Sequence, residues 1–180
     1  MIVTHTNILL FLSVLLSIAV IHDMRFRRIP NALTYPAMIM AIAYNSWLGG
    51  FEGFLFSIEG IGLGIALLIV FHLMGGMGAG DVKLMGAVGG FVGPTIVFAA
   101  FLFTAVVGGI HAMVVLMCKG YAGDTRNRYV LMLKNLLITK KITYLSPSRE
   151  ERQIRLCYGV SIAIGTAMAI SLESVILKLI

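Results

Sequence analysis

From Leu84 to Cys118 the chain runs 35 residues without an aspartate, glutamate, lysine or arginine. About 20 apolar residues cross the hydrocarbon of a bilayer, so this stretch is too long for one crossing and barely enough for two. Gly93-Pro94 predicts the break between them, because proline cannot continue a helical hydrogen-bond ladder. The rest of the chain has the same character: 59% of its 180 residues are hydrophobic and 12% are charged. Its mean hydropathy is +0.96. A soluble domain carries about 25% charged residues, so too few are present to cover a globular surface. The expected fold is all-α: a polytopic membrane protein forming one compact bundle over residues 1–180, with no separate soluble domain.

Charges and glycines divide the remainder into further apolar runs. The first covers about Thr4 to Ile21 and is followed by the basic turn Asp23–Asn31. The second runs from about Ala32 to Leu48, where Gly49-Gly50 breaks it, and the third from about Phe54 to Met74. The fourth covers only about Asp81 to Phe91, the fifth about Thr95 to Met117, and the sixth about Leu156 to Leu172. Residues 119–155 form the one long polar connection. Within it Tyr129 to Leu145 mixes Leu, Ile and Met with Lys134, Lys140 and Lys141, a pattern suited to an amphipathic helix on an anionic leaflet. Six transmembrane helices place thirteen of the fourteen Lys and Arg on one side, with Lys178 alone on the other. The positive-inside rule makes the basic side cytoplasmic and puts both termini outside. No Lys or Arg precedes the first run, which reads as a span and not as a cleaved signal. The net charge of +6 resides in these loops, which argues for lipid headgroups and against nucleic acid as the partner.

Two acids stand out in this setting. Asp23 ends the first run, and Asp81 closes the string Gly75-Gly76-Met77-Gly78-Ala79-Gly80-Asp81. An ionisable group beside lipid is expensive and by default marks a working site. The charge distribution puts both on the cytoplasmic side. A fourth helix as short as 81–91 covers roughly half the hydrocarbon thickness, so Asp81 is expected below the membrane surface, in a pocket. Two carboxyl groups close together in a low dielectric titrate as a pair sharing one proton. The ionised member can take a proton from water while the protonated member donates to a scissile carbonyl. Such chemistry needs no metal and no cofactor. Cys118 and Cys157 form no CxxC, and His5, His22, His72 and His111 are scattered, so neither a zinc site nor a disulfide framework is expected.

Gly78 and Gly80 are expected to allow positive φ and close approach of a substrate strand, in a stretch of irregular backbone that protein or a water-filled cavity must cover. Structural readings stand beside these. Asp81 suits the N-cap of the following helix, and Asp23 suits a solvated loop acid balancing Arg25, Arg27 and Arg28. Lys83 suits a positive-inside anchor, and Pro30 and Asn31 suit the turn that opens the second span. The pairs Gly60/Gly64 and Gly86/Gly90 suit helix-packing surfaces. On residue chemistry alone the acids fit hydrolysis, or a proton or ion relay in a small transporter or scaffold.

Asp23-x-Arg25 followed by Arg28-Ile29-Pro30-Asn31, then Gly78-x-Gly80-Asp81-x-Lys83-Leu84 after one intervening hairpin, resembles the type IV prepilin peptidase family of GxGD intramembrane aspartyl proteases. The likeness spans essentially the whole chain. It implies that Asp23 and Asp81 are catalytic and that Gly78, Gly80, Lys83, Arg28, Pro30 and Asn31 shape the site. It also implies an enzyme of the cytoplasmic (inner) membrane that removes a short basic leader, just after a glycine, from a prepilin or pseudopilin helix. Archaeal-type preflagellin peptidases would share the chemistry with a different substrate. Larger members carry an N-terminal cytoplasmic region with paired CxxC motifs, associated with N-methylation. Here the first span begins almost at Met1 and CxxC is absent, so a peptidase without methyltransferase activity is expected, like those of tight-adherence (Flp) pilus systems. The last span opens Cys157-Tyr158-Gly159 where the family often has proline before the aromatic-glycine pair. That departure is expected to alter helix geometry more than chemistry.

Overall fold

A computed structural model describes residues 6–118 and 157–179, and among them every element is an α-helix. In chain order these are α1 (Thr6–Phe26), α2 (Asn31–Leu73), α3 (Ala79–Cys118) and α4 (Tyr158–Leu179). All four are long and apolar enough to cross a membrane. The amphipathic segment expected at Tyr129–Leu145 lies outside the described residues. Of the described residues, 6–108 and 157–179 form one compact unit, and 109–118 fall outside it; everything below concerns that unit.

α2 and α3 are each interrupted once. Gly50 has φ 58 and ψ −133, and Gly93 has φ 79 and ψ 178. Both values lie where a Cβ would clash, so glycine supplies the break. These are the positions where Gly49-Gly50 and Gly93-Pro94 predict the spans to end. Around Gly50 the chain doubles back. Asn45 Nδ2 donates to Ser57 Oγ at 2.8 Å, Ser57 Oγ lies 3.2 Å from the Ala41 carbonyl, and the Gly53 backbone sits directly on the carbonyl of Asn45.

The first stretch of α3, residues 79–92, lies at the centre. Residues 81–93 are all buried except Lys83, and Leu84, Met85, Ala87 and Val88 have no exposed surface. Lipid tails are as apolar as leucine, so helices here gain little from hydrophobicity and associate by close packing. Glycine makes that packing possible. Gly60 and Gly89 face each other so closely that a Cβ on either would overlap the other's carbonyl. Gly64 rests on the backbone of Met85 and Gly86, and Gly90 on Ala41 and Ile61. The spaced glycines thus act as the packing surfaces expected of them. Phe11 of α1 stacks on Phe91 at 6.4 Å between centroids, and α1 also packs along α4. The outward surface is apolar, with Trp47, Phe51, Leu73 and Met74 largely exposed.

One polar cluster sits inside this apolar bundle. An uninterrupted helix would let the Gly90 carbonyl accept from the N–H of residue 94, but Pro94 has none. Asn45 Nδ2 and Ser57 Oγ replace it, each 2.9 Å from the Gly90 oxygen. Both side chains are buried, and the break in α3 explains why. Asn45→Leu is expected to cost about 1 kcal/mol, because Ser57 remains on the carbonyl; the Asn45→Leu/Ser57→Ala double variant should lose more than the two singles together. Thermal unfolding in detergent reads both.

Candidate active site

α1 outruns its apolar pattern. Hydrophobicity stops at Ile21, yet the helix continues to Phe26. The Arg27 N–H closes the last turn on the Asp23 carbonyl at 2.7 Å, and Arg27 ends it with φ 53, a left-handed terminus of the kind that caps many helices. Asp23 therefore belongs to the helix, not to the basic turn where the sequence placed it. It is buried, 5% exposed, and so is not a solvated loop acid. The turn beyond is pinned by His22, whose Nδ1 lies 2.8 Å from the Arg28 carbonyl. Pro30 then precedes α2 with φ −72 and ψ 142, and its carbonyl accepts from the Leu33 N–H at 3.1 Å.

Asp81 arises from the turn between α2 and α3. His72 Nδ1 lies 3.0 Å from the Met77 carbonyl and braces that turn. α3 starts at Ala79, which puts Asp81 at its third position and not at the N-cap. From there Asp81 Oδ2 reaches back to accept the Gly78 N–H at 3.0 Å, satisfying one of the donors that a helix start leaves orphaned. Gly78 and Gly80 do not take positive φ; the left-handed glycine in this stretch is Gly75, at φ 77. The need for Gly80 is steric. A Cβ there would lie 2.9 Å from Ile29 Cβ and 3.0 Å from the Ile29 carbonyl oxygen. The close approach made possible by Gly80 is thus to this chain's own α1–α2 turn, and it sets the start of α3 against that turn.

The two acids lie on the same side of the bundle, near enough to feel each other's charge. Asp81, 7% exposed, lies within electrostatic reach of Asp23 and of His72. Asp23 Oδ2 accepts the Gly159 N–H at 2.9 Å, from the first turn of α4. Each carboxyl group thus fixes Oδ2 on the N–H of a helix start, which leaves Oδ1 without a protein donor among the described residues. Tyr158 lies within electrostatic reach of Asp81, and Cys157 within reach of Asp23, Arg27 and Asp81.

The remaining expected residues sit at the edge. Lys83 Nζ donates to Asn31 Oδ1 at 2.8 Å and lies 4.8 Å from the centre of the Tyr35 ring, so it ties the start of α3 to the start of α2. The Arg28 side chain is exposed. Ile29, His22, His72 and Gly159 support the site without having been singled out for it, because each acts through a backbone contact that residue chemistry does not reveal, even where a quoted motif contains the residue. Among the described residues no three His, Cys, Asp or Glu side chains gather as metal ligands. What the arrangement offers is a buried carboxyl pair suited to moving a proton between water and an amide.

A model of the type IV leader peptidase family matches residues 10–113, which hold both acids and stop short of α4. The prepilin leader peptidase/N-methyltransferase of Vibrio cholerae serotype O1 is 30% identical over 99 residues, covering 49% of this chain. The alignment takes in 38% of that protein, so the chain spans well under half of its relative's length. No solved structure matches the chain significantly.

Proposed function

The chain belongs to the type IV leader peptidase family, and from that premise we propose that it is an intramembrane aspartyl endopeptidase. Its substrate is the leader of a type IV prepilin or pseudopilin, removed at the cytoplasmic face of the inner membrane. The observation that carries this reading is that Asp23 and Asp81, two buried carboxyl groups from separate helices, lie within electrostatic reach of each other. One of them, ionised, draws a proton from water, and the water oxygen attacks the scissile carbonyl. The other, protonated, donates to the carbonyl oxygen as it gains charge. When the tetrahedral intermediate collapses, the C–N bond breaks, the proton first taken from water goes to the leaving amine, and the second acid takes its proton back from the hydroxyl as the carbonyl re-forms. Neither acid forms a covalent bond to substrate, and no cofactor takes part.

The breaks at Gly50 and Gly93 support six crossings, and the distribution of Lys and Arg supports both termini outside and both acids on the cytoplasmic side. Residues 79–92 rise only about 21 Å at 1.5 Å each, against a hydrocarbon core of about 30 Å. That shortness supports an Asp81 set below the membrane surface. The reading is confined to peptide cleavage of the tight-adherence (Flp) type; methyl transfer by the Vibrio relative is not carried over from a 38% overlap.

Co-expression with a tight-adherence prepilin tests it, with an archaeal preflagellin as the parallel substrate. The prepilin should lose its leader after a glycine, read by N-terminal sequencing. An inserted chain that leaves the prepilin intact would overturn the reading, and cleavage of the preflagellin alone would move it to that substrate class. Lys83→Ala removes a tie at the rim, so cleavage should fall by about tenfold or less, as for an exposed charged contact. A loss as large as that from either aspartate would mean that Lys83 acts on the pair itself.

A further inference from the structure

We propose that Gly159, at the start of α4, is a positioning residue for Asp23, an inference that rests on reading Asp23 as one of the catalytic pair. Asp23 sits in the last turns of α1, and its Oδ2 is fixed by a backbone N–H from 136 residues further along the chain. That N–H is free to do so. α4 begins at Tyr158, so Gly159 lies in the first turn, where N–H groups have no acceptor within their own helix. The positive end of a helix also favours a carboxylate there.

The residue type follows from the same contact. A Cβ on Gly159 would stand 2.9 Å from Asp23 Oδ2, 3.2 Å from Asp23 Cβ and 3.4 Å from Asp23 Cγ. Any side chain would push the carboxyl group out of place. By contrast, a Cβ on Gly62 would meet nothing within 4 Å. Gly159 also has a counterpart across the site. Gly78 N–H holds Oδ2 of Asp81 as Gly159 N–H holds Oδ2 of Asp23, so both acids are oriented by the same device from two different helix starts. Residues 10–113 match the family; Gly159 lies beyond them and completes what that stretch leaves half-held.

Two measurements on the full chain in nanodiscs test the proposal. In cleavage kinetics, Gly159→Ala should lower kcat by about 10²-fold, the usual effect of moving a reacting group by an ångström, with KM within about twofold. Gly62→Ala should change neither. In amide hydrogen exchange, without any substrate, Asp23→Ala should speed exchange at Gly159 by about tenfold, the equivalent of one hydrogen bond. Asp23→Asn keeps an acceptor oxygen, so it should preserve that protection even while it removes activity. Wild-type kcat in Gly159→Ala, or exchange at Gly159 indifferent to Asp23→Ala, would overturn the proposal. A prepilin left uncut by the wild-type chain would count against the peptidase reading, while the exchange measurement still decides whether Asp23 is held by Gly159. The same measurement decides if Gly159→Ala does not fold.

Discussion

Asp23→Asn or Asp81→Asn is expected to abolish leader removal, a fall of about 10²–10⁴-fold or more for loss of a general acid or base. Each variant should still insert and unfold near the wild-type temperature. Asparagine has the shape of aspartate and keeps one oxygen, so the N–H groups of Gly159 and Gly78 retain an acceptor. Only the capacity to carry a proton is lost. The double variant should be no slower than either single, because residues that act as one unit are strongly non-additive. Prepilin co-expression and immunoblotting, with membrane fractionation as the control, measure this. Leader removal by either variant at close to the wild-type rate would sink the assignment of the pair.

The largest effect on stability is expected at Gly60 and Gly89. A methyl group on either would overlap the backbone carbonyl of the other, and backbone cannot step aside as a side chain can. Overpacking typically costs about 1–3 kcal/mol; two backbones forced apart should put Gly60→Ala and Gly89→Ala at the upper end of that range. Gly60→Leu should prevent assembly. Activity should fall with stability, since residues 79–92 carry Asp81 and would be the part displaced. Melting in detergent checks this against Gly62→Ala, whose methyl group meets open space. A Gly60→Ala protein as stable as the wild type would mean that the close contact is absent.

Features with local causes were legible in the sequence. Gly93 announces itself because the proline after it cannot continue a helical ladder, and Gly50 because it ends an apolar run of near-spanning length; the pairs Gly89-Gly90 and Gly108-Gly109 stay helical. The two acids were visible because ionisable groups are rare and costly among apolar residues. Helix ends were less visible: α1 continues through Asp23 to Phe26, past the point where its hydrophobic pattern stops. Gly78 and Gly80 drew attention for the right stretch and the wrong reason, since Gly80 is needed for contact with Ile29 and not for left-handed backbone. Other features have distant causes. Asn45 and Ser57 look like stray polar residues until Pro94 is seen to orphan the Gly90 carbonyl. The opening Cys157-Tyr158-Gly159 is read from sequence as a matter of helix geometry more than chemistry, and the Gly159 bond to Asp23 bridges 136 positions that no local pattern spans.

The bond between α4 and Asp23 also imposes a schedule on synthesis. Asp23 emerges in the first helix and Gly159 only with the last described one, so at 5–20 residues per second the interval is on the order of ten seconds. Through that interval Asp81 already has its local N–H from Gly78, but among the described residues Asp23 has no holder. A ribosome-bound chain that has inserted α1 to α3 therefore contains both acids without a fixed pair. The order of the described helices leaves Asp23 unset beside other nascent membrane segments until α4 docks.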